Sequence, residues 1–135
     1  MCIRDRTILD RDSSPNRMGM VAIRAAYEQG EEWLDAVCAY ISGNFEILSE
    51  RLGALPGVSV MPMQSTYLAW ADFNGTGMDN AEIQNRLLRQ AHVATSPGSR
   101  FRHGGSGHAR FNIALSRDKL NEAVDRIEKA FSDLQ

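Results

Sequence analysis

From Ala109 to Leu115 every second position is apolar, and soon afterwards the apolar residues begin to recur at steps of three and four. Period two places Phe111, Ile113 and Leu115 on one face of a strand running from His108, with Arg110 and Asn112 on the other. The helical stripe that follows is Leu120, Ala123, Val124, Ile127, Ala130, Phe131 and Leu134, with Ser116 placed to cap the helix. A strand with one apolar face and a helix with one apolar stripe must each be covered by another layer. The pairing predicts an α/β two-layer domain of three or four strands, with helices packed on one face.

Upstream segments fit that frame. Asn16 can open a helix bearing Met20, Ile23, Ala26 and Tyr27 on one side, and Gly30 interrupts it. A second helix is predicted over 31–52, with Trp33, Leu34, Val37, Ile41, Phe45, Leu48 and Leu52 along its stripe. After a turn at Leu55, Pro56 and Gly57, short strands are predicted at 58–61 and 66–73, separated by Pro62. Asn74 to Gly77 breaks the chain, and Asp79 with Glu82 forms a capping-box-like start for a helix to about 90. A third strand is predicted at 93–95, before a glycine-rich loop over 96–107.

Length and composition bound the class without naming a function. At 135 residues the chain fits one domain with room for a core. Hydrophobic residues at 43% and charged residues at 24% are ordinary globular values. No apolar run approaches the roughly 18 residues that a membrane-spanning helix needs, and a net charge of −2 gives no pull toward nucleic acid or anionic lipid. The N-terminus lacks the apolar stretch of a secretory signal, and Cys2 and Cys38 form no disulfide framework; both features point to the cytoplasm. Residues 1–6 read as foreign, because their natural back-translation resembles the end of a sequencing adapter, and they are set aside from the fold.

Of the 15 basic residues only Lys119 and Lys129 are lysines. Chemistry through a lysine nucleophile or Schiff base must use one of these two or one outside the sequence. Both fall off the stripe of the last helix, on its solvated side. Arg110 is the better candidate for ligand contact: a planar guanidinium on a rigid strand, with the Asn112 amide two positions on, suits bidentate capture of a carboxylate. Read from the strand alone, however, an exposed, solvated sheet face is the favoured reading of the same two residues.

The loop holding Gly98, Gly104, Gly105 and Gly107 matches neither familiar phosphate-loop spacing, so it reads as a connector or as a mobile lid. His92, His103 and His108 show no metal-ligand spacing, and no metal is expected. Cys38 reads as buried filler beside an apolar stripe. Ser99 and Ser106 lack a nucleophile-elbow setting. Trp33 and Trp70 read as core aromatics, whereas Tyr67, on the face opposite Leu68, is left open to a ligand role.

Several segments occur in an order that resembles a known family: Ser14-Pro15-Asn16, Ala25-Ala26-Tyr27, Gly30-Glu31-Glu32-Trp33-Leu34-Asp35 and Thr66-Tyr67-Leu68-Ala69-Trp70-Ala71-Asp72. Pro97-Gly98-Ser99-Arg100-Phe101, Gly104-Gly105-Ser106-Gly107 and Arg110-Phe111-Asn112 complete the series. Together they resemble the C-terminal part of a fold type I pyridoxal-phosphate enzyme of the class I/II aminotransferase superfamily. Glu-Trp-Leu-Asp and Thr-Tyr-Leu-Ala-Trp tilt the resemblance toward the cystathionine β-lyase (MalY/PatB-type) C–S lyases.

The resemblance implies the small C-terminal domain of that fold: a mostly antiparallel sheet with helices on one face. It makes residues 7–135 the C-terminal part of an aminotransferase-like domain whose cofactor-binding large domain lies outside this sequence. It implies pyridoxal 5'-phosphate as cofactor, bound elsewhere in the full-length protein, so no cofactor-binding and no catalytic residue is expected in this chain, which alone is expected to be inactive. The activity implied is release of thiol, pyruvate and ammonia from an amino-acid thioether by a homodimer, with aminotransferase activity or a stand-alone ligand-binding domain as alternatives. Arg110 becomes the grip on the substrate α-carboxylate, supported by Asn112, and Tyr67, Gly98, Ser99 and Arg102 border the entrance. Two departures stand out: Ser65 replaces the family's usual glycine or alanine, and Arg102 replaces its usual glycine, which leaves substrate preference open.

Overall fold

The computed structural model describes residues 16–101 and 103–134. The adapter-like residues 1–6, Ser14, Pro15 and Arg102 therefore lie outside the described residues. The chain divides into two compact units, Met1–Cys38 and Ala39–Gln135.

In the first unit, helix α1 (Arg17–Gln29) starts where Asn16 Oδ1 accepts the Gly19 N–H at 2.7 Å. This N-cap satisfies one of the helix's orphan donors. Gly30 closes α1 by donating its N–H to Ala26 O, and helix α2 (Glu31–Gly53) begins at once. No described residue up to Cys38 is buried. Met18, Val21, Tyr27, Trp33 and Leu34 are all exposed, Trp33 at 70%. Cys38 is exposed as well. Both residues correct the expectation of buried side chains: one helix and the first turns of another cannot enclose a core between them.

The second unit holds the core. Its sheet runs in the order β1 (Ser59–Val60), β2 (Leu68–Asp72), β4 (His108–Asn112), β3 (Ser96–Pro97), and every pairing is antiparallel. Ala69, Ala71, Ala109, Phe111 and Ile113 turn to one side, where they form one buried cluster with Leu48 and Leu52 of α2, Ile83 of α3 (Asn80–Asn85), and Leu120, Val124 and Ile127 of α4 (Arg117–Ala130). The four-stranded, one-sided α/β architecture expected from the sequence is the one observed.

Local differences from expectation have local causes. The strand expected at 66–73 begins at Leu68, because Thr66 takes a left-handed φ of 68° that cannot continue a ladder. The strand expected at 93–95 is displaced to Ser96–Pro97. His92 sits at φ 55°, and the Val93 N–H turns back to Leu87 O, so 93–95 have no strand to pair with. The helix expected to run to 90 is α-helical only to Asn85 and continues as a π-turn, Arg86–Gln90. Ser116 occupies the N-cap position of α4, but its side chain makes no capping bond.

Asn44 is the one fully buried polar side chain among the described residues. Its Nδ2 donates to Ile113 O and Leu115 O, both at 2.9 Å, and its Oδ1 accepts from Arg117 Nε at 3.2 Å. The amide thus replaces a missing ladder partner just beyond β4. Two arginines bind the helical layer. Arg51 reaches Glu128 and Asp125, and Arg86 reaches Asp133 and Glu82; these carboxylates raise both guanidinium pKa values above their ordinary range.

Candidate functional site

The alternation that buries Ala69, Ala71, Ala109 and Phe111 turns Leu68, Trp70, His108, Arg110 and Asn112 to the face of the sheet opposite the buried cluster. Register then fixes the neighbours. Trp70 lies opposite Arg110 and Leu68 opposite Asn112 on one side, and Ser96 lies opposite Arg110 on the other. Trp70 is half-buried on this face, which corrects its assignment to the core. The inward positions beside it on β2 are alanines, Ala69 and Ala71, so the large aromatic of that strand faces out.

Arg110 is half-buried. Its Nη2 donates to Ser96 Oγ at 3.4 Å, too long to be a strong bond. Its guanidinium carbon lies 4.6 Å from the centre of the Phe101 ring. No carboxylate pairs with it among the described residues. Arg51 and Arg86 of the same unit each hold two acids. A partly desolvated guanidinium with in-plane donors still unpaired favours an anionic ligand.

Clefts open on both sides of it. One, of about 500 Å³, is lined mainly by apolar side chains, Met61, Met63, Leu68, Trp70 and Phe101, with Gln64, Ser65 and Arg110. The other, of about 230 Å³, is more polar and is lined by Thr95, Ser96, Arg110 and Asn112, with Leu68 and Ala94. Thr95 Oγ1 is buried there without a hydrogen-bond partner among the described residues. A ligand carrying a carboxylate beside an apolar arm matches this arrangement chemically.

The structure brings Arg110 and Asn112 to one cleft, though they do not bond to each other. Asn112 Oδ1 instead accepts the Ala114 N–H at 3.0 Å. Tyr67 is exposed and lines neither cleft; its carbonyl accepts the Ile113 N–H. Gly98 is buried where a Cβ would lie 2.2 Å from Gly105 O, so it serves close backbone approach. Ser99 is exposed on the turn Gly98–Phe101 and lines neither cleft.

The glycine-rich loop is more than a slack connector. Asn80 Oδ1 accepts the Gly107 N–H at 2.7 Å, and Asn80 Nδ2 donates to Ser106 Oγ at 2.9 Å. Phe101 and Thr95 reach the site through irregular backbone that has no period, and Ser96 through a two-residue strand too short to show one. Trp70 had a signal: it shares strand parity with Leu68 and lies between two alanines. Lys119 and Lys129 are exposed on α4, in the layer covering the opposite side of the sheet from Arg110.

The chain is 36% identical over 118 residues, 87% of its length, to cystathionine β-lyase PatB of Bacillus subtilis, of which it spans 30%. It is 36% identical over 113 residues to protein MalY of Escherichia coli, covering 83% of this chain and 29% of that one. Aspartate aminotransferase of Pyrococcus horikoshii is 36% identical over 85 residues, 63% of this chain and 22% of the relative. Among solved structures, cystalysin from Treponema denticola, which contains a pyridoxal 5'-phosphate cofactor, superposes with a TM-score of 0.84 at 28% identity, over 98% of this chain and 35% of that one. The pyridoxal-phosphate-bound C–S lyase from Staphylococcus hominis gives 0.78 at 28% identity, over 96% and 34%. No protein-family model matches the chain. The chain spans about a third of the length of the curated relatives and solved structures it matches. In sequence and in fold it is similar to the C-terminal part of pyridoxal-phosphate-dependent C–S lyases and aminotransferases.

Proposed function

We propose that this chain is the carboxylate-binding segment of a pyridoxal-phosphate-dependent carbon–sulfur β-lyase, which releases thiol, pyruvate and ammonia from amino-acid thioethers. Arg110 holds the substrate α-carboxylate. The observation that carries this reading is a half-buried guanidinium with no acidic partner among the described residues, standing between an apolar and a polar cleft.

The residues present fit the carboxylate end of such a substrate and do not fit the cofactor. Neither lysine reaches the Arg110 face, and the loop over 96–107 has no phosphate-loop spacing. The Schiff-base lysine and the phosphate ligands are assigned to the rest of a longer protein; residues 7–135 are read as its C-terminal part and residues 1–6 as foreign to it. Pyridoxal phosphate, held there, supplies the electron sink for breaking bonds at the α-carbon. This segment supplies orientation: two in-plane guanidinium bonds fix the carboxylate and with it the direction of the α-C–H bond. Asn112 and Thr95 line the polar side, and Met61, Met63, Trp70 and Phe101 offer an apolar wall to a thioether arm. The full-length protein is read as a cytoplasmic homodimer.

The aminotransferase reading is favoured by one observation, the likeness to the Pyrococcus aspartate aminotransferase. Product analysis with cystathionine separates the two, since pyruvate with free thiol means lyase. In the full-length protein Arg110→Ala should lower kcat/KM by at least about 100-fold, the loss expected for two charge-assisted hydrogen bonds. The cofactor's absorption spectrum should stay the same. An unaltered kcat/KM would remove Arg110 from the site.

A further inference from the structure

We propose that Phe101 is a positioning residue for Arg110, setting the plane of the guanidinium so that its in-plane donors stay available to a carboxylate. The inference rests on the carboxylate-binding reading of Arg110. An arginine side chain has many rotamers and must be fixed by something before it can present a fork. Arg51 and Arg86 are fixed by carboxylates, which occupy their donors. Arg117 lies 4.9 Å over the Tyr40 ring, but its Nε and Nη2 also donate to Asn44 Oδ1 and Tyr40 O. At Arg110, among the described residues, the ring contact is joined by only the long bond to Ser96. A phenyl ring offers the guanidinium no oxygen acceptor, so a ring contact can hold the side chain while its N–H donors stay open to a carboxylate.

Phe101 is itself held in place. Its ring meets Trp70 edge-on at 5.5 Å and 78°, and Trp70 stacks on His108 at 5.4 Å and 24°. His108 Nδ1 lies 2.7 Å from Ser106 O, and its Nε2 lies 3.7 Å from Asp72. A packed row therefore runs from Asp72 through His108, Trp70 and Phe101 to the guanidinium. The turn that delivers Phe101 starts at Gly98, whose backbone is packed directly against Gly105. Phe101 is also 44% exposed, so its loss removes little from the core.

The test compares two ligands of the full-length, cofactor-loaded protein: L-methionine, and 3-(methylthio)propylamine, which keeps the amine and thioether but lacks the carboxylate. Dissociation constants are read from the cofactor's absorption. Phe101→Leu should weaken L-methionine by about 3- to 10-fold, the range for a partly exposed cation–π contact, and leave the amine unchanged. Phe101→Tyr should restore wild-type binding. With the amino-acid thioether substrate, KM should rise in Phe101→Leu while kcat stays within about twofold. Equal weakening of both ligands, or no change in either, overturns the inference. Arg110→Ala separates the two levels of the argument. If that variant still prefers L-methionine as the wild type does, the carboxylate-binding reading itself is wrong. If it loses the preference and Phe101→Leu keeps it, only the role of Phe101 falls.

Discussion

An arginine on a strand is worth to a ligand only what its neighbours leave unpaired, and here the neighbours of Arg110 are a serine, a tryptophan and a phenylalanine rather than acids. Lysine at this position keeps the charge but loses the planar fork and the guanidinium contact with Phe101. Arg110→Lys in the full-length protein should therefore lower kcat/KM by about 10-fold or more, yet less than Arg110→Ala, and steady-state kinetics on the three proteins checks the order. Asn44 acts at the same scale by a different route. Replacing it with leucine strands the carbonyls of Ile113 and Leu115 and a donor of Arg117. The expected cost is about 1–3 kcal/mol in urea unfolding, and an unchanged midpoint would show that water replaces the amide. Arg110 and Asn112 were legible because strand parity put both on one face. Asn44 was passed over, although an amide between Ile41, Phe45 and Leu48 on a helical stripe is itself a signal of a buried partner. Phe101 gave no such sign, since a turn after a glycine can point its side chain anywhere.

Among the elements, β4 and α4 could be read because each carries its periodicity over its whole length. The failures fall where one residue leaves the regular backbone. Thr66 and His92, both at positive φ, set the starts of β2 and of the segment leading to β3, and neither is a residue type that announces this conformation as glycine would. The π-turn Arg86–Gln90 was equally hidden, because its apolar Leu87 satisfies a helical pattern in either winding. That turn is tied to the end of α4: Arg86 pairs bidentately with Asp133 and donates to Ala130 O at 3.1 Å. Arg86 holds the Asp133 carboxyl below its ordinary value of 3.8. A lowered folded-state pKa means stabilisation that is complete above 3.8 and is lost as pH falls through the lowered value. Asp133→Asn should therefore lower Tm at neutral pH, and the gap to wild type should close as the pH drops well below 3.8. The Asp133 carboxylate is exposed, so 1 M salt should also shrink the gap. A gap that persists in acid would assign the effect to packing rather than to charge.

Across the whole molecule, cohesion is uneven. Every buried hydrophobic residue described lies between Leu48 and Phe131, whereas residues 16–38 bury none and leave Met18, Met20, Val21, Ile23, Tyr27, Trp33 and Leu34 exposed. The sequence hid this boundary because the helical stripe of α2 runs without a break from Trp33 to Leu52, and periodicity reports which face is apolar, not whether anything covers it. That is why Trp33 and Cys38 were read as interior. If cohesion resides in the second unit, a chain beginning at Ala39 should unfold cooperatively in urea with the midpoint of the 135-residue chain, because none of the described residues it removes, 16–38, is buried. It should also bind less of an apolar dye and self-associate less, since an exposed apolar patch of this kind drives association. Dye fluorescence and light scattering on the two chains, beside the urea curves, decide the matter. A shortened chain that loses its cooperative transition would mean that the first unit stabilises the second in a way its exposure does not reveal, whereas an unchanged midpoint with lower scattering would place the stability of the fold in residues 39–135.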